Sequence, residues 1–236
     1  MGKSRSIVLW EARIGLPIDT PTHQPSDLAI AQMPRKPVRS DGVATYEKLV
    51  STIDTIFARD DSRTISLKEL ADAANVPVAS VYHFFPVPEA ALAALVEQYI
   101  EKAAVEIMSN LEPAEGSNWQ GIVNEIFARG RVFNEKYPAA KKVRLCPHSS
   151  ESARYLLLES NWTLAAAIAS EFDRLFVLAP HLHIVDDLAM TIILTDALWS
   201  TSIALHGEIT DQYAAEAERA VASFLFPVLG AELPEK

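Results

Sequence analysis

The chain has 236 residues, 49% of them apolar: long enough for one domain or two small ones around a buried core, and too apolar for a disordered chain. A net charge of −10 excludes a protein that binds nucleic acid over its whole surface, and the single Cys146 excludes an internal disulfide framework. The charge is uneven: residues 1–40 hold six Lys or Arg against three Asp or Glu, residues 41–87 four against seven, and the remainder eleven against twenty-one.

Residues 1–42 carry Pro17, Pro21, Pro25, Pro34 and Pro37 without sustained periodicity, which predicts an irregular arm. Its positive charge concentrates in "MPRKPVRS", with Arg35, Lys36 and Arg39. The apolar run Ile7 to Trp10 is too short for a signal peptide. "MGKSRS" fits an N-myristoylation pattern but reads more simply as a plain translation start.

Beyond the arm, helical spacing dominates and no stretch of strict alternation predicts a sheet. A first helix is expected from Val43 to Arg59, with Tyr46, Leu49, Val50, Ile53 and Phe57 on one face. In "SLKE", Ser66 and Glu69 form a capping box that opens a second helix, with Leu67, Leu70, Ala71 and Ala74 as its apolar face. Asn75 tolerates the left-handed conformation that ends a helix, and Pro77 at a first helical position starts another, "VASVYHFF". Helix, three-residue turn and short helix make helix-turn-helix geometry. A fourth helix runs from Pro88 to about Leu111, with Glu89 in its first turn.

Longer helices follow. One spans Trp119 to Lys136 after the caps Ser117 and Asn118, and a short piece lies in "PAAKKVRL". Others are expected from Glu151 to Leu178, from Ile184 to His206 before Gly207, and from an Asp211 cap to about Leu229. Leu188 to Leu205 carries one charge, Asp196, so a membrane span must be weighed. A central Asp costs roughly 2.5–3.5 kcal/mol on insertion scales. The flanks are acidic and lack a basic anchor, so burial in a bundle or dimer interface is the simpler reading.

The stretch "ISLKELADAANVPVASVYHFFPVPEAALAALVEQYI" resembles the TetR family of bacterial transcriptional regulators, strongly from about Tyr46 to Ile100 and only in architecture beyond. The most specific part is "LADAANV…VYHFF…EAALAAL". The resemblance implies an all-α homodimer in the bacterial cytoplasm. Residues 43–100 would form a three-helix DNA-binding unit, with its helix-turn-helix at about 66–85, that enters the major groove of a palindromic operator. Residues 101–236 would form a larger helical bundle that holds a small-molecule effector and dimerises through the last two helices. Three departures stand out: Asn75 replaces the usual turn Gly, Pro77 the usual Ser or Thr cap, and Val87 and Pro88 the Ser-Lys pair whose lysine grips a phosphate.

By the 3.6-residue period Val81, Phe84 and Phe85 point inward, leaving Val78, Ala79, Ser80, Tyr82 and His83 for DNA. Val78 and Ala79 can offer methyl contacts to thymine, Ser80 can bond a base edge or a phosphate, and Tyr82 and His83 can donate to phosphates. Thr64, Ser66 and Lys68 are further phosphate candidates. His83 can equally finish a small helical core, and Ser66 has its capping role in either case. Few cations serve the head, so Arg35, Lys36 and Arg39 are expected to compensate as a flexible DNA-contacting arm; a solubilising tail is the alternative.

For the effector, aromatic candidates are Trp119, Phe127, Phe133, Tyr137, Trp162 and Phe172, and polar ones Arg131, Asn161, Asp196 and His206. Apolar walls with few polar groups suit a hydrophobic or aromatic effector. "HLHIVDD" offers His181, His183, Asp186 and Asp187 without a second ligand cluster, and Cys146 near His148 shows no sign of an activated thiolate. No metal, cofactor or catalytic motif is expected. The leading function is an effector-released repressor. The alternative is a helical small-molecule or protein binding module whose DNA head has decayed.

Overall fold

The computed structural model describes residues 33–59, 65–112, 118–145, 151–178 and 184–236, with side chains in the helix opening at Glu151 described from Leu157 onward. The described residues form nine helices: α1 (Ser40–Arg59), α2 (Leu67–Ala74), α3 (Val78–Phe84), α4 (Pro88–Met108), α5 (Trp119–Lys136), α6 (Pro138–Leu145), α7 (Glu151–Leu175), α8 (Ile184–His206) and α9 (Asp211–Leu229). There is no strand among them; Phe176 and Glu235 make an isolated antiparallel bridge. Two compact units result. A head contains α1 to α3, α4 as far as Tyr99, and α6; a bundle contains Ile100–Phe133 and Glu159–Lys236.

In the head, the face expected for the first helix is the buried one: Leu49, Val50, Ile53 and Phe57. The Tyr46 ring packs edge-on against Phe84 at 5.7 Å and tilted against Phe85 at 5.4 Å. Helix α1 begins at Ser40, three residues before the expected Val43. Pro37 lies so close to Gly42 that a Cβ there would come within 2.9 Å of the Pro37 Cβ. Gly42 is thus a contact point inside the first turn, not the end of the arm. The helix α6 packs on α1, where the Lys142 ammonium donates to the Phe57 carbonyl at 2.8 Å, 85 residues away in sequence. The Tyr99 hydroxyl donates to the Asp54 carboxylate at 2.5 Å and so ties α4 to α1.

In the bundle, Leu111, Trp119, Ile122, Phe172, Phe176 and Leu188 are fully buried. Helix α4 ends at Met108, short of the expected Leu111. Arg129 donates to the carbonyls of Ile107 and Ser109, and Arg174 to that of Leu111, so two guanidinium groups take up acceptors that the helix end leaves unpaired. Helix α7 stops at Leu175, not Leu178. The C-terminal tail takes over the backbone there: Val177 N–H donates to the Pro234 carbonyl at 2.7 Å and Lys236 N–H to the Leu175 carbonyl at 3.0 Å. The cap of α9 is Thr210 and not Asp211, since the Thr210 hydroxyl accepts from Tyr213 N–H at 3.4 Å. Asn118 grips both polar groups of Leu233, with its amide donating at 2.9 Å and its carbonyl accepting at 2.7 Å. Ser117 lies outside the described residues.

Helix α8 is long and apolar enough to cross a membrane, but only 33% of its most apolar window is buried within the single chain. Burial all round, expected from its composition, is therefore not reached by one chain alone. Met190, Leu194 and Leu205 remain exposed on α8, and Phe224 and Phe226 on α9.

Candidate nucleic-acid interface

The helix-turn-helix is built by local chemistry. Glu69 N–H donates to the Ser66 hydroxyl at 3.1 Å while Ser66 N–H donates to the Glu69 carboxylate at 3.2 Å, a complete capping box. Asn75 takes φ 50° and ψ 55°, and its N–H reaches the carbonyls of Ala71 and Asp72. That left-handed step ends α2 and turns the chain by two residues into α3.

Pro77 is the N-cap of α3 and not its first helical residue: at ψ 137° it is still extended, though its carbonyl accepts from Ser80 N–H at 2.9 Å. No side chain caps α3. The helix is held by packing instead, with Val81 and Phe85 at 0% exposure and Phe84 at 5%.

The opposite face is open. Val78 is 38% exposed and Tyr82 52%. Ala79 and His83 are exposed too, Ser80 is half-buried, and the His83 ring rests edge-on against Phe84 at 5.0 Å. Val78 and Tyr82, and likewise Ala79 and His83, are four residues apart and so lie one above the other. Ser66 and Lys68 are exposed at the start of α2; Thr64 lies outside the described residues. Val87 and Pro88 place no cation at the end of the motif.

The arm differs from its expected flexible form where it is described. Arg35 N–H donates to the Phe84 carbonyl at 2.8 Å, the Lys36 ammonium pairs with Glu97 of α4 at 2.9 Å, and Pro37 sits on Gly42. The segment from Arg35 to Pro37 is therefore fastened to the ends of α3 and α1 and to α4. Its Lys36 is engaged, whereas Arg35 and Arg39 are exposed and form no ion pair among the described residues. Residues 1–32 lie outside the described ones. No local pattern points to Glu97, because it acts on Lys36 from 61 positions away.

The effector candidates are dispersed, all but Tyr137 within the bundle. Trp119 is buried, with its indole donating to the Gly230 carbonyl at 3.1 Å. Phe127 meets Trp199 edge-on at 5.9 Å, Arg131 pairs with Asp211 at 2.7 Å, and the Trp162 indole donates to Asp186 at 2.8 Å. Phe172 stacks with Phe176, Asn161 is buried, Asp196 is half-buried, and His206 is exposed beside Tyr213. Phe133 is buried, while Tyr137 belongs to the head beside Tyr99. A groove of about 210 Å³ between α8 and α9 is lined by Leu198, Gln212, Tyr213, Glu216, Arg219 and Ala220, none of them a candidate. Trp199, which the sequence did not single out, is 5% exposed and its indole N–H has no partner among the described residues.

No cluster of three potential metal ligands occurs among the described residues; His181, His183, Cys146 and His148 lie outside them.

No family model matches the chain, and no curated protein does. A solved TetR-family transcriptional regulator from Streptomyces coelicolor is similar in fold, with a TM-score of 0.57 at 16% identity over 78% of this chain and 99% of that one. At that likeness the chain has the fold of a TetR-family transcriptional regulator.

Proposed function

We propose that the protein is a sequence-specific DNA-binding transcriptional regulator of the bacterial cytoplasm, acting as a homodimeric repressor that a small-molecule effector releases from a palindromic operator. The observation that carries this reading is the division of α3 into an anchored face, Val81, Phe84 and Phe85, and an open face, Val78, Ala79, Tyr82 and His83. A recognition helix needs both: fixed orientation on one side and free side chains on the other. Ser66 and Lys68 supply phosphate contacts at the start of α2, and Arg35 and Arg39 add charge beside α3.

Exposed apolar residues on α8 and α9 support a dimer through those helices. The effector part rests on the bundle, where Trp119, Phe127, Arg131, Trp162, Asp196 and His206 supply the expected aromatic and polar groups. The Trp199 indole is a further donor there, and an effector acceptor would satisfy it.

A second reading, a helical binding module with a decayed DNA head, is favoured by one observation: α3 carries no Lys or Arg, and Val87 and Pro88 stand where a phosphate-gripping lysine is expected. A gel shift on the protein's own upstream region separates the two. Specific binding lost in Tyr82→Ala supports the regulator. Binding no tighter than to random duplex at moderate salt supports the module.

A further inference from the structure

Direct readout in the major groove follows the donors and acceptors of the bases. Guanine is read by the paired donors of Arg or Lys, adenine by the amide of Asn or Gln, cytosine by a carboxylate, and thymine by contact with its 5-methyl group. The open face of α3 has none of the first three: its residues are Val78, Ala79, Ser80, Tyr82 and His83. The amide of Asn75 stands in the left-handed turn that ends α2; of the two carboxylates on α2, Glu69 is held by the Ser66 backbone in the capping box, and Asp72 is exposed three residues before that turn.

The position of the residues along α3 completes the case. The first turn of a recognition helix approaches the base edges, and here it holds the exposed Val78 and Ala79, which carry only methyl groups outward, with the Ser80 hydroxyl half-buried beside them. The second turn holds Tyr82 and His83, whose hydroxyl and imidazole suit the flanking phosphates. Anchoring by Val81 and Phe85 at 0% exposure leaves α3 little freedom to present another face.

We propose that Val78 and Ala79 form a methyl-reading surface, so that the operator half-site is recognised through thymine 5-methyl groups and is rich in A·T pairs beneath α3. This rests on the regulator reading and names its DNA partner by chemistry.

The test begins with selection of duplexes from a random pool by the full-length protein. Each thymine of the enriched sequence is then replaced in turn by deoxyuridine, which keeps the pairing and removes only the methyl. A buried methyl accounts for about a four-fold change in affinity, so each contacted thymine should weaken binding by about four-fold. Val78→Ala, at a position exposed enough to leave the fold intact, should weaken the thymine duplex and reduce its preference over the deoxyuridine duplex. Equal binding to thymine and deoxyuridine duplexes, or enrichment of a G·C-only site, overturns the methyl reading and leaves the regulator standing. A selection that enriches no duplex overturns both.

Discussion

At the scale of single residues, the head depends on a few polar contacts that each do one task. The Tyr99 hydroxyl, buried and bonded to Asp54, is the clearest. Burial, then the hydrogen bond to that carboxylate, raises the phenol well above its ordinary value of 10.0. A folded pKa above the unfolded one means stability that is complete below pH 10 and is lost as pH rises through the folded pKa. Tyr99→Phe should therefore lower stability by about 1.5 kcal/mol at neutral pH, as expected for a hydrogen bond to a charged acceptor. Urea unfolding should also show a weaker loss of stability above pH 10 in the variant than in the parent protein. Arg35 and Arg39 act on a different quantity. Each phosphate neutralised adds about 0.9 to the salt slope of duplex binding. Replacing both by Ala should flatten that slope by about 1.8, measured by anisotropy titrations at several salt concentrations. An unchanged slope would leave the arm as a structural brace that Lys36–Glu97 and Pro37–Gly42 already make it.

At the scale of elements, the spacing of α2 and α3 hangs on Asn75. Its φ of 50° suits glycine best and asparagine nearly as well, because the short polar side chain tolerates the left-handed region. Asn75→Gly should keep the melting temperature within error, whereas Asn75→Ala should cost about 1 kcal/mol, read by thermal unfolding. The same elements show where sequence patterns suffice. The Ser66–Glu69 box is a four-residue signal, and both of its bonds form. The bounds of α5, α6 and α8 were legible from periodicity and breakers alone. The ends of α4 and α7 were not. Arg129 and Arg174 reach the end of α4 from other helices, and the C-terminal tail takes over at Leu175.

At the scale of the whole molecule, the feature that one chain leaves unexplained is its apolar surface on the last two helices. Met190, Leu194 and Leu198 repeat every four residues on α8, and Ala220 and Phe224 lie four apart on α9; Leu198 and Ala220 line the groove between the helices. A second copy across a two-fold axis would cover these stripes with the same stripes. If the proposed dimer forms through these stripes, Leu194→Glu combined with Phe224→Glu should make the protein sediment as a monomer while leaving helix content unchanged. A dimer that survives both changes would place the interface elsewhere.

The sequence by itself determined the class of fold, the order of the helices, and the two faces of α3. Those depend on 3.6-residue periodicity, caps and turn residues, all written within a few positions of one another. Tertiary structure alone decided that the arm is fastened by Phe84 and Glu97, that α6 joins the head, and that the tail is gripped by Asn118. It also placed the aromatic effector candidates among separate partners and left the Trp199 indole without a partner among the described residues. These are pairings between residues tens of positions apart. No local pattern encodes them, because each partner's sequence is satisfied equally well by water until folding brings the other within reach.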